Sequence, residues 1–129
     1  MNFFFDNNLS PKLARSLHIL VDPDHRVIHL KNRFPADTAD TVWMQSLATE
    51  PGWFIVTADI RISKNPHELK AWQEAGHTVF FLKPGWLNLD FWTQAWKFNK
   101  CFPELIAAAG RSRAGSAFLI TTNGKIELI

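Results

Sequence analysis

The chain alternates between short apolar runs and longer stretches in which apolar residues recur every three or four positions. Residues 2–5 (Asn2-Phe3-Phe4-Phe5) form one such run, stopped by Asp6-Asn7-Asn8, which is the pattern of a strand buried on both faces. Ser10-Pro11 then offers a capping hydroxyl followed by a proline at the first helical position. Leu13, Leu17 and Leu20 mark the expected inner face of that helix, and Asp22-Pro23-Asp24 marks a turn. Arg26 to Leu30 reads as a second strand. Phe34-Pro35-Ala36-Asp37 reads as a loop, with Asp37 or Thr38 as the expected cap of a second helix carrying Val42, Trp43 and Leu47. Pro51-Gly52 ends it.

The same alternation continues. Trp53 to Thr57 is a third apolar strand, and Ala58-Asp59 follows with no turn residue between. Pro66 opens a third helix with Leu69 and Trp72 inward, and Gly76 closes it. His77 to Leu82 is a fourth strand and Lys83-Pro84-Gly85 a turn. Asn88 is the expected cap of a long fourth helix with Leu89, Trp92 and Trp96 inward, interrupted or restarted at Pro103. Ala117 to Thr121 and Lys125 to Leu128 flank Thr122-Asn123-Gly124, and Asn-Gly is the strongest short hairpin signal. Continuous apolar strands alternating with helices imply an α/β fold: a three-layer α/β/α sandwich with a mainly parallel sheet and a C-terminal β-hairpin.

Composition narrows the class. At 129 residues the chain has the length of one domain and buries about two-thirds of its unfolded surface. Apolar residues at 47% and charged residues at 20% argue against disorder. No apolar run approaches the ~20 residues of a membrane-spanning helix. The opening Met1-Asn2-Phe3-Phe4-Phe5-Asp6 lacks the basic segment of a signal peptide, so a cytosolic protein is expected. The single Cys101 leaves no internal disulfide framework and no cysteine-based zinc site. The five histidines (His18, His25, His29, His67 and His77) read as structural or surface residues.

Charge is unevenly spread. Residues 1–59 carry seven acids against five bases, and residues 60–129 nine bases against five acids, giving −2 and +4 and together the net +2. Such asymmetry suits a polyanionic partner, and Lys97, Lys100, Arg111 and Arg113 are candidates for a phosphate-binding edge. Six tryptophans and eleven phenylalanines read mainly as core. Trp72, Trp92 and Trp96 stand at helical spacings expected of core rather than of a base-stacking surface.

In a mainly parallel sheet, ligands bind beyond the carboxyl ends of the strands. Asp6 and Asp59 lie there by construction, Asp37 and Asp40 lie at the start of the second helix, and Glu68 lies in the first turn of the third. Carboxylates gathered in one crevice repel unless a counter-charge joins them. Without a Cys cluster, the natural counter-charge is a hard divalent cation, Mg²⁺ or Mn²⁺. An ion of this kind activates water and stabilises charge on phosphate, which is nuclease chemistry.

Met1-Asn2-Phe3-Phe4-Phe5-Asp6-Asn7-Asn8-Leu9-Ser10-Pro11-Lys12-Leu13-Ala14 resembles the opening of the small PIN-like domains, where a strand ends in Asp. Trp53-Phe54-Ile55-Val56-Thr57-Ala58-Asp59-Ile60-Arg61-Ile62 resembles their second block. Asn65-Pro66-His67-Glu68 and Ala75 to Leu82 are similar to the PIN-like subfamily grouped with VapC toxins. The resemblance spans most of residues 1–100 and is weakest in the final hairpin. It implies a metal-dependent ribonuclease, often the toxin of a toxin–antitoxin pair, with an RNA substrate, an antitoxin partner and commonly a homodimer. Asp6 and Asp59 match the two best-defined metal-binding acids, Asp40 or else Asp37 the acid on the second helix, and Glu68 is the candidate fourth acid. Arg61, Lys64 and Asn7 are the expected substrate-side residues, with Asn8 and Thr57 as further candidates. Two departures stand out. Asn7 occupies a position where relatives often have Glu, and the fourth acid of many relatives follows the third more closely than Glu68 follows Asp59.

Two other readings fit parts of the pattern. A PIN-like fold without catalysis would bind a partner instead. A phosphoreceiver also carries acids after its first and third strands and a Lys-Pro pair, here Asp6, Asp59 and Lys83-Pro84. Against the receiver, one acid rather than two follows strand 1, Lys83-Pro84 follows the fourth strand rather than the fifth, and a helix and a hairpin come afterwards.

Overall fold

The computed structural model describes residues 1–59, 62 and 66–129, and for Glu68 the backbone alone. In chain order it contains β1 (Asn2–Phe5), α1 (Pro11–Val21), β2 (Arg26–His29), α2 (Asp40–Ala48), β3 (Trp53–Thr57), α3 (Pro66–Glu74), β4 (Thr78–Leu82), α4 (Phe91–Arg111), β5 (Ala117–Ile120) and β6 (Ile126–Leu128). The six strands make one sheet in the order β2-β1-β3-β4-β5-β6. The first five are mutually parallel, and β6 returns antiparallel to β5. This is the α/β sandwich with a C-terminal hairpin that the pattern implies.

Alternation along each strand divides the core, because successive side chains point to opposite faces. Phe3 and Phe5 meet Leu13, Ala14 and Leu17 of α1 and Phe98, Phe102 and Leu105 of α4. Phe4 points the other way, to Trp43, Met44 and Leu47 of α2 and Trp72 of α3. All five residues of β4 are buried, with Phe80 and Leu82 on the first face and Val79 and Phe81 on the second. Aromatic pairs knit both halves. The Phe4 and Trp43 rings stack with centroids 5.6 Å apart, and Phe5 meets Phe98 edge-on at 5.5 Å. Such pairs add about 0.5–1.5 kcal/mol beyond the area they bury.

Two buried histidines fasten loops to the sheet. The His29 ring contacts the Leu9 carbonyl through Nε2 at 2.6 Å and accepts the Lys31 N–H at Nδ1 at 3.0 Å. The His77 ring contacts the Leu47 carbonyl through Nε2 at 2.7 Å and accepts the Trp53 N–H at Nδ1 at 3.0 Å. An Nδ1 that accepts from an amide leaves Nε2 as the protonated, donating nitrogen. Burial holds both rings below the ordinary histidine pKa. Both are structural residues, as expected.

The connections differ in hand. α2 and α3 lie on one face, and the strands they precede are placed successively in one direction across the sheet. α1 and α4 share the opposite face, yet β1-α1-β2 and β4-α4-β5 run in opposite directions. Three crossovers therefore share one hand and the α4 crossover has the other, against a strong general preference for right-handed connections. The reason is coverage. A parallel sheet needs helices on both faces, and without α4 only α1 would cover the face bearing Phe80 and Phe118.

Several local expectations change. β2 stops at His29, and Leu30 begins a 3₁₀ turn, Leu30–Asn32. α2 starts at Asp40 with Ala39 at its cap position, so neither Asp37 nor Thr38 caps it. The Thr38 hydroxyl and amide instead both donate to the Pro35 carbonyl, closing a turn before the helix. Asp90, not Asn88, caps α4, accepting the Thr93 N–H at 2.9 Å. Pro103 sits inside α4 without interrupting it. Leu20, Trp92 and Trp96, expected inward, are exposed, as is Val42.

Candidate active site

The sheet order places a topological switch point between β1 and β3. From β1 the chain moves outward to β2, then returns past β1 to β3. Connections that leave in opposite directions open a crevice at the carboxyl ends of the two strands. Asp6 directly follows β1, and Asp59 follows β3 after Ala58. The parallel register, Phe5 opposite Val56, carries Asp6 to the level of Thr57, and the Asp6 N–H donates to the Val56 carbonyl at 3.1 Å.

Thr57 links the two acids. Its buried hydroxyl donates to Asp6 Oδ2 and accepts the Asp59 N–H at 3.0 Å. The other Asp6 oxygen, Oδ1, accepts the Asn8 N–H at 2.8 Å. Asn8 thus acts through its backbone, while its side chain and that of Asn7 are exposed. Asp6 keeps 4% of its surface exposed and Asp59 9%, so neither is a solvated turn acid.

Asp40 joins them electrostatically. Burial raises the Asp6 pKa above the ordinary carboxylate range, while the Thr57 and Asn8 hydrogen bonds pull it down. The negative charges of Asp40 and Asp59 add a smaller upward push, so each of them bears on Asp6. Asp40 is the first residue of α2, and its Oδ1 accepts the indole N–H of Trp43 at 3.1 Å. Trp43 is packed against the sheet and anchors the carboxylate one helical turn away. Sequence reasoning missed this anchor, although an acid and an indole three apart on a helix are neighbours.

Asp37 is the correction among the acids. It is exposed in the turn before α2 and shares no helix face with Asp40. Arg61 and Lys64 lie outside the described residues, as does the side chain of Glu68, whose backbone falls in the first turn of α3.

The trio offers only hard oxygen donors, which fits Mg²⁺ or Mn²⁺ better than a softer ion. Among the described residues, no three His, Cys, Asp or Glu side chains already converge as a metal-holding group. No helix among them is long and apolar enough to cross a membrane.

A family profile described as "PIN like domain" matches residues 1–84. Neither the comparison with curated proteins nor that with solved structures gave a match. The profile takes in β1 to β4 and all three acids of the crevice, 84 of the 129 residues in all: the chain belongs to the PIN-like domain family.

Proposed function

We propose that this protein is a Mg²⁺- or Mn²⁺-dependent ribonuclease, of the kind that serves as the toxin in a VapC-like toxin–antitoxin pair. The observation that carries the reading is geometric: buried Thr57 ties Asp6 to the Asp59 backbone at the carboxyl ends of β1 and β3, and burial, with the Asp40 and Asp59 charges adding to it, raises the Asp6 pKa. A purely structural acid has no need of such neighbours. Asp6, Asp59 and Asp40 would hold the ion, with Glu68 as the fourth acid. When bound, the ion supplies an activated water and stabilises charge on the phosphate.

The chain's own groups have separable tasks. Thr57 and the Asn8 amide fix both Asp6 oxygens, so the carboxylate is oriented before any ligand arrives. Trp43 holds Asp40 at the rim. Arg61 and Lys64, between Asp59 and Glu68 in sequence, are suited to steer phosphate. The toxin role and an antitoxin partner rest on the resemblance of residues 65–68 and 75–82 to that subfamily.

The test is cleavage of labelled RNA with Mn²⁺ or Mg²⁺, with EDTA as control, for the wild type and for Asp59→Asn. Activity that needs the ion and is lost in the folded variant supports the reading. A wild-type chain that cleaves no RNA and binds no Mn²⁺ by calorimetry is a PIN-like binding module instead.

A further inference from the structure

The first two turns of α4 bury nothing before Phe98. They present Trp92 at 78% exposure and Trp96 at 56%, one turn apart on the same side, with exposed Phe91 beside them. Two large indoles left in water on one helix face are uncommon in a monomer and mark a contact surface. This stretch lies beyond residues 1–84, so it belongs to the part of the chain that the family profile does not cover.

The surroundings select the partner. Phe91, Trp92 and Trp96 line an open groove of about 320 Å³ against α1, whose first turn contributes Lys12. Trp96 also forms a wall of a second groove of about 470 Å³, which holds Lys100 and Lys125. Lys97 lines the second groove too, but its Nζ donates to the Thr122 carbonyl at 3.0 Å and so braces the hairpin. The acids nearby are Glu104, which lines the second groove, and Asp90, whose carboxylate accepts from the Thr93 amide and hydroxyl. Flat rings interleaved with lysines are the chemistry that holds unpaired nucleotides: bases stack on the rings and cations follow the phosphates. Position agrees. α4 begins after the carboxyl end of β4, and Lys12 comes six residues after Asp6, so the grooves lie at the crevice end of the sheet.

We propose that the Trp92–Trp96 face of α4, with Lys12, Lys100 and Lys125, is a stacking track for an unpaired nucleic-acid strand leading to the Asp6 crevice. The track deepens the ribonuclease reading and rests on it for its purpose, but its binding is measurable without cleavage. In EDTA, the full chain should bind a fluorescein-labelled oligouridylate of about 15 nucleotides and quench in indole emission, one base–aromatic stack per ring being the unit of affinity. Trp92→Ala and Trp96→Ala should each weaken binding about tenfold, and Trp92→Phe should recover most of the loss. Lys100→Ala should reduce the salt slope by about 0.7, the share of one phosphate on a single strand. Both tryptophans are exposed, so circular dichroism should show the variants folded.

Weaker binding of a duplex of equal length supports the track. An oligothymidylate arm then tells whether it takes any unpaired strand or RNA alone. Unchanged affinity in both alanine variants, or equal affinity for duplex, overturns the proposal. So does a wild-type dimer in sedimentation that Trp92→Ala dissociates, since the face would then belong to a second copy. Mn²⁺-dependent cleavage with no tryptophan effect rejects the track and keeps the nuclease. Tryptophan-dependent binding without any cleavage does the reverse.

Discussion

His29 and His77 have their rings fully buried, and each ring nitrogen meets a backbone group within 3.0 Å. Asp6 is nearly as buried, and both its oxygens are hydrogen-bonded, yet two further negative charges bear on it. The histidines are kept neutral by their surroundings and tie loops to the sheet. The aspartate is oriented by its surroundings and at the same time made uncomfortable as an anion. One arrangement spends a polar side chain on stability, and the other gives up stability to gather charge. A buried carboxylate with a raised pKa, at a switch point of the sheet, marks a candidate ligand-binding site.

The contrast breaks most sharply under substitution. Asp6→Asn or Asp59→Asn should lower ion-dependent RNA cleavage by at least about a hundredfold, the upper range for losing even an outer-shell metal partner. Gel assays on variants shown to be folded check this. His77→Ala should act on stability alone. It strands the Leu47 carbonyl and the Trp53 N–H and leaves a cavity, at a cost of about 2–4 kcal/mol in urea unfolding, with activity per folded molecule unchanged.

Asp6→Asn should move the other way from His77→Ala. It removes a buried charge and its repulsion, and should raise stability by about 1 kcal/mol, or Tm by about 3–6 °C, in calorimetry. The smallest effect is the pH profile. The histidine pKa values are lowered in the folded state, so their contribution is complete above about 6.5 and is lost as pH falls below it. The Asp6 pKa is raised in the folded state, so the native form holds that proton more tightly. Stability should therefore fall as pH rises from the ordinary aspartate range through the raised value. Thermal melts of Asp6→Asn should lose this second slope and keep the first.

The acids that end apolar runs were legible because a strand fixes where its next residue lies. Asp6 and Asp59 follow β1 and β3 whatever the loops do. The start of α2 was not legible, because Asp37, Thr38 and Asp40 all suit a helix end and only the Thr38 bonds to the Pro35 carbonyl decide among them. Periodicity also shows that a helix has a face without showing where the core stops. On α1 the buried stripe is Leu13, Ala14 and Leu17, leaving Leu20 in water, and on α4 it begins only at Phe98. Pro103 alone predicts a break, but Phe102, Leu105, Ala108 and Ala109 pack on both sides of it, and burial outweighs one lost amide. The hand of the α4 crossover depends on which face still lacked a helix, a property of the assembled sheet and of no single segment.

That crossover has a consequence for cutting the chain. A fragment ending at Pro84 retains every residue of the family match and the whole acid trio, so it looks self-sufficient on paper. It would nevertheless leave Phe3, Phe5 and Phe80 facing water where Phe98, Phe102 and Phe118 now pack against them. Such a truncate should be recovered as insoluble aggregate, and co-expressed residues 85–129 should return it to solution.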